Sequence, residues 1–321
     1  MGRPEERYRP TSGLDSPRFV GIRTFMRLPH VTDVSRCDAF VVGVPFDTGA
    51  TFRVGARFAP EAIRSISVML RPYHPHHRFD ICERISVVDA GDLTVLPGFT
   101  EESLERVTAQ LVTMLEQSNG GVPIVLGGDH TVVLPELRAQ AAYRKQPVAV
   151  VHFDSHPDTW DEYWGERYTH GTMYRRAVEE GLIDTAHSIQ VGLHGTLYDE
   201  DDWSQSRTLG FDTLTLRESL ELGIPATVER IRERVGDAPV YLSLDIDVLD
   251  PAYAPGTGTP EVGGYTTIQM QDLLRGLGGL NYVGFDLVEV LPQYDGPGQI
   301  TSLLAANLCW EFLALVALRK G

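Results

Sequence analysis

The sequence predicts a three-layer α/β/α sandwich around a central, mainly parallel sheet. Short apolar runs alternate along the chain with segments of helical periodicity, which is typical of a parallel sheet covered by helices. Several of the runs are apolar at consecutive positions, as expected of strands buried on both faces. Ligands of such sheets bind beyond the carboxyl ends of the strands, so functional residues are sought there.

Seven strands and seven helices are predicted. The strands are Ala39–Pro45, Arg84–Val88, Val122–Leu126, Pro147–Phe153, Ser188–Leu193, Pro239–Leu244 and Tyr282–Leu287. The helices are Pro60–Leu70, Glu102–Gln117, Leu134–Tyr143, Met173–Glu180, Ala226–Val235, Thr267–Leu277 and Thr301–Leu318. No repeat, low-complexity tract or Ser/Gly linker divides them. We therefore expect an N-terminal arm at residues 1–20 and one catalytic domain at residues 21–321.

Composition and charge restrict the class of protein. The 321 residues carry a formal net charge of −16, which disfavours nucleic acid and anionic membrane as partners and suits a cationic substrate. Cys37, Cys82 and Cys309 are far apart, so neither a disulfide framework nor a thiolate metal site is expected. The N-terminus lacks the apolar stretch of a signal peptide, and no apolar run approaches the roughly 20 residues of a membrane span. We expect a soluble, cytoplasmic protein.

Metal-ligand residue types follow three of the predicted strands. Side chains alternate along an extended chain, so Asp154, His156 and Asp158 project to one side. Asp245 and Asp247 share a face in the same way. A third strand ends in Gly127-Gly128-Asp129-His130, where the glycines are expected to allow a sharp turn. Any one of these residues could be a turn former, as we expect of Asp250, and Asp129 is expected to support the ligands.

The number of carboxylates at this sheet end indicates bound metal. Four carboxylates would repel one another and lose hydration, whereas two divalent cations cancel their charge. Imidazole and carboxylate donors together suit Mn²⁺ and do not exclude Ni²⁺, Zn²⁺ or Co²⁺. The predicted ligands are His130, Asp154, His156, Asp158, Asp245 and Asp247.

Three segments resemble the metal-binding signatures of the ureohydrolase (arginase/agmatinase) family: GGDH (127–130), DSHPD (154–158) and SLDIDVLDP (243–251). The resemblance covers nearly the whole chain beyond residue 20 and implies an arginase-like fold. It continues through VGVPFDTGATFRVGARFAPEAIR (42–64), THGTMYRRAVEEGLID (169–184), APGTGTPEVGG (254–264) and DLVEVLPQYD (286–295). Segments 18–30 and 170–184 are more similar to guanidinobutyrase and guanidinopropionase than to arginase proper.

The resemblance implies hydrolysis of a small guanidino compound to urea and an amine. A hydroxide bridging the two metals would attack the guanidinium carbon. Asp158 would pass a proton to the leaving amine, His170 would be the proton shuttle, and Glu289 would pair with the guanidinium. One metal would be bound by His130, Asp154, Asp158 and Asp245, and the other by His156, Asp154, Asp245 and Asp247. A homotrimer or homohexamer is also implied.

Two departures from the family pattern concern the substrate tail. His194 stands where relatives carry arginine, and Trp160 replaces the smaller or polar groups of agmatinase-like chains. Segment Trp160–Tyr168 is expected to form a pocket wall or lid, although Trp160 and Trp164 could equally serve packing. The predicted tail contacts are Trp160, Tyr168, Met173 and His194.

The preferred substrate is a guanidino acid such as 4-guanidinobutanoate or 3-guanidinopropanoate. Agmatine, free guanidine, an N-alkylated guanidine and a biguanide are the alternative substrates. A non-catalytic subunit of the same family is a more remote alternative, because it would require a broken set of metal ligands.

Overall fold

The structure is a computed structural model that describes residues 7–320. Its central sheet contains β1 (Ala39–Gly43), β4 (Val87–Asp92), β5 (Val122–Leu126), β6 (Ala149–Phe153), β7 (Ile189–Leu193), β8 (Asp212–Thr215), β9 (Pro239–Asp245) and β10 (Asn281–Val288). Every neighbouring pair is parallel, in the order β4-β1-β5-β10-β9-β6-β7-β8. β2 (Tyr73–His74) and β3 (Phe79–Asp80) form a separate antiparallel pair.

Helices cover both faces of the sheet. They are α1 (Ala59–Ser67), α2 (Ile81–Arg84), α3 (Thr100–Gln117), α4 (Val133–Arg144), α5 (Met173–Glu179), α6 (Asp202–Thr208), α7 (Leu216–Leu222), α8 (Ile224–Val235), α9 (Thr267–Gly276) and α10 (Ile300–Lys320). Helices α1, α8, α9 and α10 pack on one face, and α3, α4 and α5 pack on the other. The predicted three-layer sandwich is confirmed.

Consecutive strand residues enter opposite cores, which explains the unbroken apolar runs. Val41 and Leu242 belong to the core beneath α1, α8, α9 and α10, while their neighbours Val42 and Tyr241 face α3, α4 and α5. All four side chains are fully buried. A strand with both faces covered requires apolar residues at every position, and these strands meet that requirement.

Among the described residues, β2, β3, α2, β8, α6 and α7 were not predicted from the sequence, and all of them are short. Strand β8 lies at the sheet edge with a single neighbour, so its sequence DTLT carries no apolar run. Helices α6 and α7 have seven residues each, too few to show a clear period. The strand predicted at Arg84–Val88 is displaced, because its first residue ends α2 and the strand occupies Val87–Asp92.

Helix α10 corrects the expectation that no segment approaches the length of a membrane span. Its 21 residues are long and apolar enough by composition, but 83% of the most apolar window is buried within the protein. Glu311 lies inside this helix and is paired with Arg275 and His74. Burial of this kind is typical of a core helix, and the helix packs against β10 and α1.

The N-terminal segment contains turns but no helix or strand between residues 7 and 20. Its backbone is attached through Thr11 N–H, which donates to Arg27 O at 3.1 Å. Residues 1–6 of the predicted arm lie outside the described residues. The division into an arm and one domain stays a prediction.

Candidate metal centre and active-site cavity

The predicted site residues meet at the carboxyl ends of the four central strands. His130 follows β5, Asp154 follows β6, Asp245 ends β9 and Glu289 follows β10. Parallel strands bring their carboxyl ends to one edge, so residues up to 159 positions apart become neighbours there.

Gly127 and Gly128 are required by close packing and not by a sharp turn, since neither has a positive φ. A Cβ on Gly128 would collide with Phe46 O, and one on Gly127 would lie 2.5 Å from a Val288 methyl carbon. Their missing side chains let the loop that carries His130 pass directly against β10 and the segment after β1.

The first group of metal-ligand atoms surrounds His130 Nδ1. This nitrogen lies 3.0 Å from Asp154 Oδ2, 2.9 Å from Asp158 Oδ2 and 3.3 Å from Asp245 Oδ2. Ligand atoms held about 2.1 Å from one small cation in an octahedron are roughly 3 Å apart, so these separations fit a shared ion. All four residues are buried. The group contains the four residues predicted for one metal.

The second group shares Asp154 with the first. His156 Nδ1 lies 3.5 Å from Asp154 Oδ1 and 3.1 Å from Asp247 Oδ2. Asp154 therefore presents one oxygen to each group. Asp245 Oδ2 faces His130 of the first group, whereas Asp245 Oδ1 accepts the backbone N–H of Asp247 at 2.9 Å. These contacts place Asp245 in the first group. A role for Asp245 in the second group stays a prediction.

The electrostatics of the two groups favour divalent cations. Burial and the neighbouring carboxylates of Asp247 and Asp154 hold the pKa of Asp245 well above its usual range. Burial also raises the pKa of Asp247. Cations between these carboxylates would restore their ionised form, because positive charge removes the repulsion that raises the pKa. Imidazole and carboxylate donors of this kind fit two divalent metal ions.

His152, on β6, was not predicted from the sequence. Its Nε2 lies 2.7 Å from Asp154 Oδ2. Gln190 Nε2 donates to Pro157 O at 2.7 Å and lies 2.9 Å from His152 Nδ1. The amide therefore donates its second hydrogen to Nδ1, so the proton of neutral His152 is on Nε2 and points at Asp154. Such a contact orients a ligand carboxylate.

His170 and Glu289 form a buried pair next to the first group. His170 Nδ1 lies 2.8 Å from Glu289 Oε1, which also accepts the His130 backbone N–H at 2.9 Å. Burial opposes a charge on His170, but Glu289 outweighs this effect and raises the pKa of His170 to about 9. The second oxygen, Glu289 Oε2, is buried and accepts no hydrogen bond from any residue that the structure describes. An unpaired buried carboxylate oxygen is a ready acceptor for a cationic ligand.

Two of the site residues have left-handed backbones. Asp158 has φ 52° and Glu289 has φ 61°. Non-glycine residues in this region cost of order 1 kcal/mol or more and cluster at functional sites. The surrounding structure fixes both carboxylates in these conformations.

A cavity of about 440 Å³ opens above the two groups. His156, Asp158, His170 and Asp245 form part of its surface, so the candidate site is accessible to a small molecule. Among residues 7–320, its remaining wall is mostly aromatic and polar and contains no lysine or arginine. It comprises Thr51, Phe52, Trp160, Tyr163, Trp164, Thr196, Leu197, Tyr198, Thr259, Pro260 and Glu261.

Of the predicted tail contacts, the structure places only Trp160 on this wall. Met173 is fully buried in the hydrophobic core, and Tyr168 packs against that core and lines an adjacent cavity. His194 Nδ1 donates to Gly192 O at 2.7 Å, and its Nε2 is buried. The lining therefore does not support substrate contact by Tyr168, Met173 or His194. These residues were predicted from their nearness in sequence to the metal and shuttle motifs, which does not determine where a side chain points.

The wall includes loops that sequence reasoning missed. Thr51 and Phe52 follow β1, Thr196–Tyr198 follow β7, and Thr259–Glu261 follow β9. These loops carry no hydrophobic period. The one sequence signal was that two of them lie within segments 42–64 and 254–264, which share the family resemblance. Tyr163 and Trp164 confirm that Trp160–Tyr168 contributes to the wall.

A further group, His74, His77 and Glu311, also places possible ligand atoms close together. His74 Nδ1 accepts the His77 backbone N–H at 3.2 Å, so its Nε2 carries the proton that Glu311 accepts at 3.0 Å. Arg275 pairs with the other oxygen of Glu311. Hydrogen bonds account for these contacts, and the adjacent guanidinium would repel a cation.

Comparison with known proteins decides the family. A profile described as the Arginase family matches residues 37–315. The chain belongs to the arginase family. It is 44% identical to guanidinopropionase of Pseudomonas aeruginosa, with 96% of each chain covered, and 44% identical to guanidinobutyrase of the same organism, with 96% of this chain and 97% of that one covered. The family prediction and the prediction of a hydrolase acting on amidine C–N bonds are confirmed.

The fold comparison agrees with the sequence comparison. The structure of proclavaminate amidino hydrolase from Streptomyces clavuligerus superimposes with a TM-score of 0.89 at 42% identity. The match covers 95% of this chain and 100% of that one. The arginase-like fold is therefore confirmed.

Proposed function

We propose that this arginase-family enzyme hydrolyses a small guanidino compound to urea and an amine, with two divalent cations held by the two ligand groups. The observation that carries the proposal is the pair of adjacent groups that share Asp154 beneath an open cavity. The unpaired oxygen of buried Glu289 supports a cationic substrate.

Each residue has a role that its contacts support. When bound, two cations would make a shared water acidic enough to serve as a nucleophile near neutral pH. Glu289 Oε2 would accept guanidinium N–H groups and orient the substrate carbon. Asp158, at the cavity floor, would transfer a proton from water to the leaving nitrogen. The C–N bond breaks as the C–O bond forms, and the products are urea and the protonated amine.

His170 would move the remaining proton between the site and solvent. Its Nδ1 faces Glu289, while Nε2 accepts Thr51 N–H at 3.2 Å and lies 2.7 Å from Thr51 Oγ1. When Nε2 becomes protonated, the Thr51 hydroxyl can accept its hydrogen. Thr51 therefore supports both protonation states of His170 at the edge of the cavity.

Manganese is the proposed native metal, with Ni²⁺ or Co²⁺ as the alternatives. The donors are imidazoles and carboxylates with no thiolate, a combination that suits Mn²⁺. Elemental analysis of protein purified from its native host would identify the metal.

A guanidino acid is the proposed substrate, because guanidinopropionase and guanidinobutyrase match this chain at 44% identity. A tail-less or N-alkylated guanidine is the second candidate. The aromatic cavity wall favours that candidate, since it contains no lysine or arginine to pair with a carboxylate. Trp160, Tyr163 and Tyr198 would instead contact an apolar tail.

Urea release from a panel of guanidines tests the proposal. The panel contains 3-guanidinopropanoate, 4-guanidinobutanoate, agmatine, guanidine and N-methylguanidine, each with protein loaded with two Mn²⁺. We expect kcat/KM to be highest for a guanidino acid. If both acids fall more than a hundred-fold below a tail-less guanidine, the second candidate replaces the first. Absence of urea from every compound, with two metals bound, would refute the function.

We further propose a cytoplasmic homotrimer or homohexamer. Exposed apolar side chains in the N-terminal segment support self-association, because Leu14 is 98% and Phe19 78% exposed. Light scattering at working concentration measures the assembly, and a monomer would contradict the proposal.

A further inference from the structure

A buried chain of polar side chains leads away from the metal groups behind His130. His130 Nε2 lies 2.9 Å from Ser243 Oγ, and Ser243 Oγ donates to Asp286 Oδ1 at 2.7 Å. Beyond Asp286 lies Glu136, whose Oε2 accepts the Tyr241 hydroxyl. All five residues are at most 2% exposed, so none of them exchanges these partners for water.

Asp286 is the neighbouring carboxylate that acts on Glu136, and burial together with Asp286 raises the pKa of Glu136. Asp286 Oδ2 and Glu136 Oε1 are both buried, and neither has a hydrogen-bond donor among the other groups around it. Two ionised carboxylates in contact away from water would repel strongly. One proton between them satisfies both oxygens and removes that repulsion.

The surroundings place this proton on Glu136. Asp286 Oδ1 accepts two hydrogen bonds, from Ser243 Oγ at 2.7 Å and Leu244 N–H at 3.3 Å, so Asp286 accepts more hydrogen bonds than Glu136 does. Glu136 accepts only the Tyr241 hydroxyl. Burial is the larger cause and the negative charge of Asp286 the next, and together they hold the pKa of Glu136 well above its usual range. His130 and Tyr174 are the other titratable groups that face this row of buried polar side chains.

We propose that Glu136 is a neutral carboxylic acid that donates its proton to Asp286, and that Glu136 and Asp286 are positioning residues for His130. Every hydrogen bond then runs in a consistent direction. His130 Nε2–H donates to Ser243, Ser243 O–H to Asp286, and Glu136 O–H to the other oxygen of Asp286. His130 is thereby held in the tautomer that leaves the Nδ1 lone pair facing Asp154, Asp158 and Asp245.

The charge on Asp286 has a consequence for metal binding. A carboxylate that acts on the distal nitrogen of a ligand histidine raises the basicity of the ligating nitrogen, and loss of such a partner costs about 10- to 100-fold in metal affinity. This step rests on the proposed metal centre. The protonation of Glu136 does not, because it follows from the carboxyl pair alone.

Infrared spectroscopy tests the proton directly. In full-length protein loaded with two Mn²⁺ at pH 7, we expect a protonated-carboxyl C=O band that is absent from Glu136→Gln and shifts when glutamate is labelled with ¹³C. Glu221→Gln is the matched control, because Glu221 lies on the surface and its variant must keep the band. A spectrum of Glu136→Gln identical to that of the wild type in this region overturns the proposal.

Metal affinity tests the positioning role. Glu136→Gln preserves a neutral group that can donate to Asp286, so its Mn²⁺ affinity should stay within about threefold of the wild type. Asp286→Asn removes the charge and should weaken one Mn²⁺ site about 10- to 100-fold. Circular dichroism confirms that each variant is folded, and Ser243→Ala replaces Asp286→Asn if that variant does not fold. Equal affinities of the folded variants and the wild type contradict the positioning role.

The two proposals can fail separately. A protein that binds two Mn²⁺ and hydrolyses no guanidine refutes the proposed function but leaves the infrared band unchanged. Conversely, an active enzyme without the band retains its function and refutes the protonation of Glu136.

Discussion

His170 Nδ1 and Glu289 Oε1 are 2.8 Å apart, although 119 residues separate them in the chain. Under the proposed function one carboxylate would serve two cations, because Oε1 faces His170 and Oε2 would accept a substrate guanidinium. A guanidinium at Oε2 would share the negative charge and lower the pKa of His170 from about 9. Substrate binding would therefore help His170 to release its proton.

The first prediction concerns pH. His170 is a cation below its pKa of about 9 and repels a guanidinium substrate in that form. The neutral fraction of His170 grows as the pH rises toward 9 and removes the repulsion, so kcat/KM should rise between pH 7 and 9. His170→Asn should lower kcat about 10²- to 10⁴-fold and abolish this rise, while keeping two metals. Loss of metal from the variant would show that His170 is a ligand.

The second prediction concerns Glu289. Glu289→Gln should lower kcat/KM by about ten- to a hundred-fold, because a buried charged contact is worth roughly 1.5–3 kcal/mol. It should also return the pKa of His170 toward 6.5, since Glu289 is the main group that raises it. NMR titration of the His170 ring measures the shift. Glu261→Gln makes the same charge change at the cavity wall and should leave that pKa near 9. An unchanged pKa in Glu289→Gln would contradict the pairing.

The third prediction concerns metal stoichiometry. Asp154→Ala should empty both sites, because its two oxygens face different ligand groups. His156→Ala removes a ligand of one group only and should keep close to one metal per chain. Asp250→Ala is the control and should keep two, since Asp250 caps a surface turn. Elemental analysis checks all three. A wild-type enzyme fully active with one metal would refute the binuclear centre.

The sequence was most informative about which ligand residues follow the buried strands. Asp154 follows β6 and Asp245 ends β9, as predicted. The predicted side-chain alternation does not extend beyond these strands, because Asp158 has a left-handed backbone and Asp247 lies in a 3-10 helix at Ile246–Val248. Parallel topology then brings the strand ends together, so the ligand groups could be predicted without coordinates. The same reasoning recovered all the strands of the sheet except the polar edge strand β8.

Residues that support the ligands could not be found in this way. His152 lies within a strand and Glu136 within a helix, where either could be an ordinary polar residue. Their partners, Gln190 and Asp286, are 38 and more than 100 positions away. Only the pairing of β7 with β6 and the packing of α4 on the sheet show which polar groups meet. Met173 illustrates the reverse error, since it follows a catalytic motif in sequence but points into the core.

The last prediction concerns Trp160, an aromatic residue of the cavity wall. Its Nε1 donates to Asp202 Oδ1 at 3.1 Å, and its ring contacts Tyr163 and Tyr198 edge-on. A rigid ring at this position limits the space for a tail. Trp160→Ala should therefore raise kcat/KM for long-tailed guanidines relative to guanidine itself, by about ten-fold, because one or two methylene groups in an apolar pocket are worth about 1–3 kcal/mol.

Two controls separate this effect from a general loss of structure. Trp160→Phe keeps an aromatic wall and should preserve the wild-type order of substrates. Trp164→Ala removes a ring that is 81% exposed at the cavity mouth and should change the order little. Steady-state kinetics measure kcat/KM for guanidine, 3-guanidinopropanoate and 4-guanidinobutanoate in each variant, and the value for each acid is divided by that for guanidine. If Trp160→Ala lowers all three rates equally, Trp160 supports the fold of the loop, and selectivity for the tail depends on other wall residues.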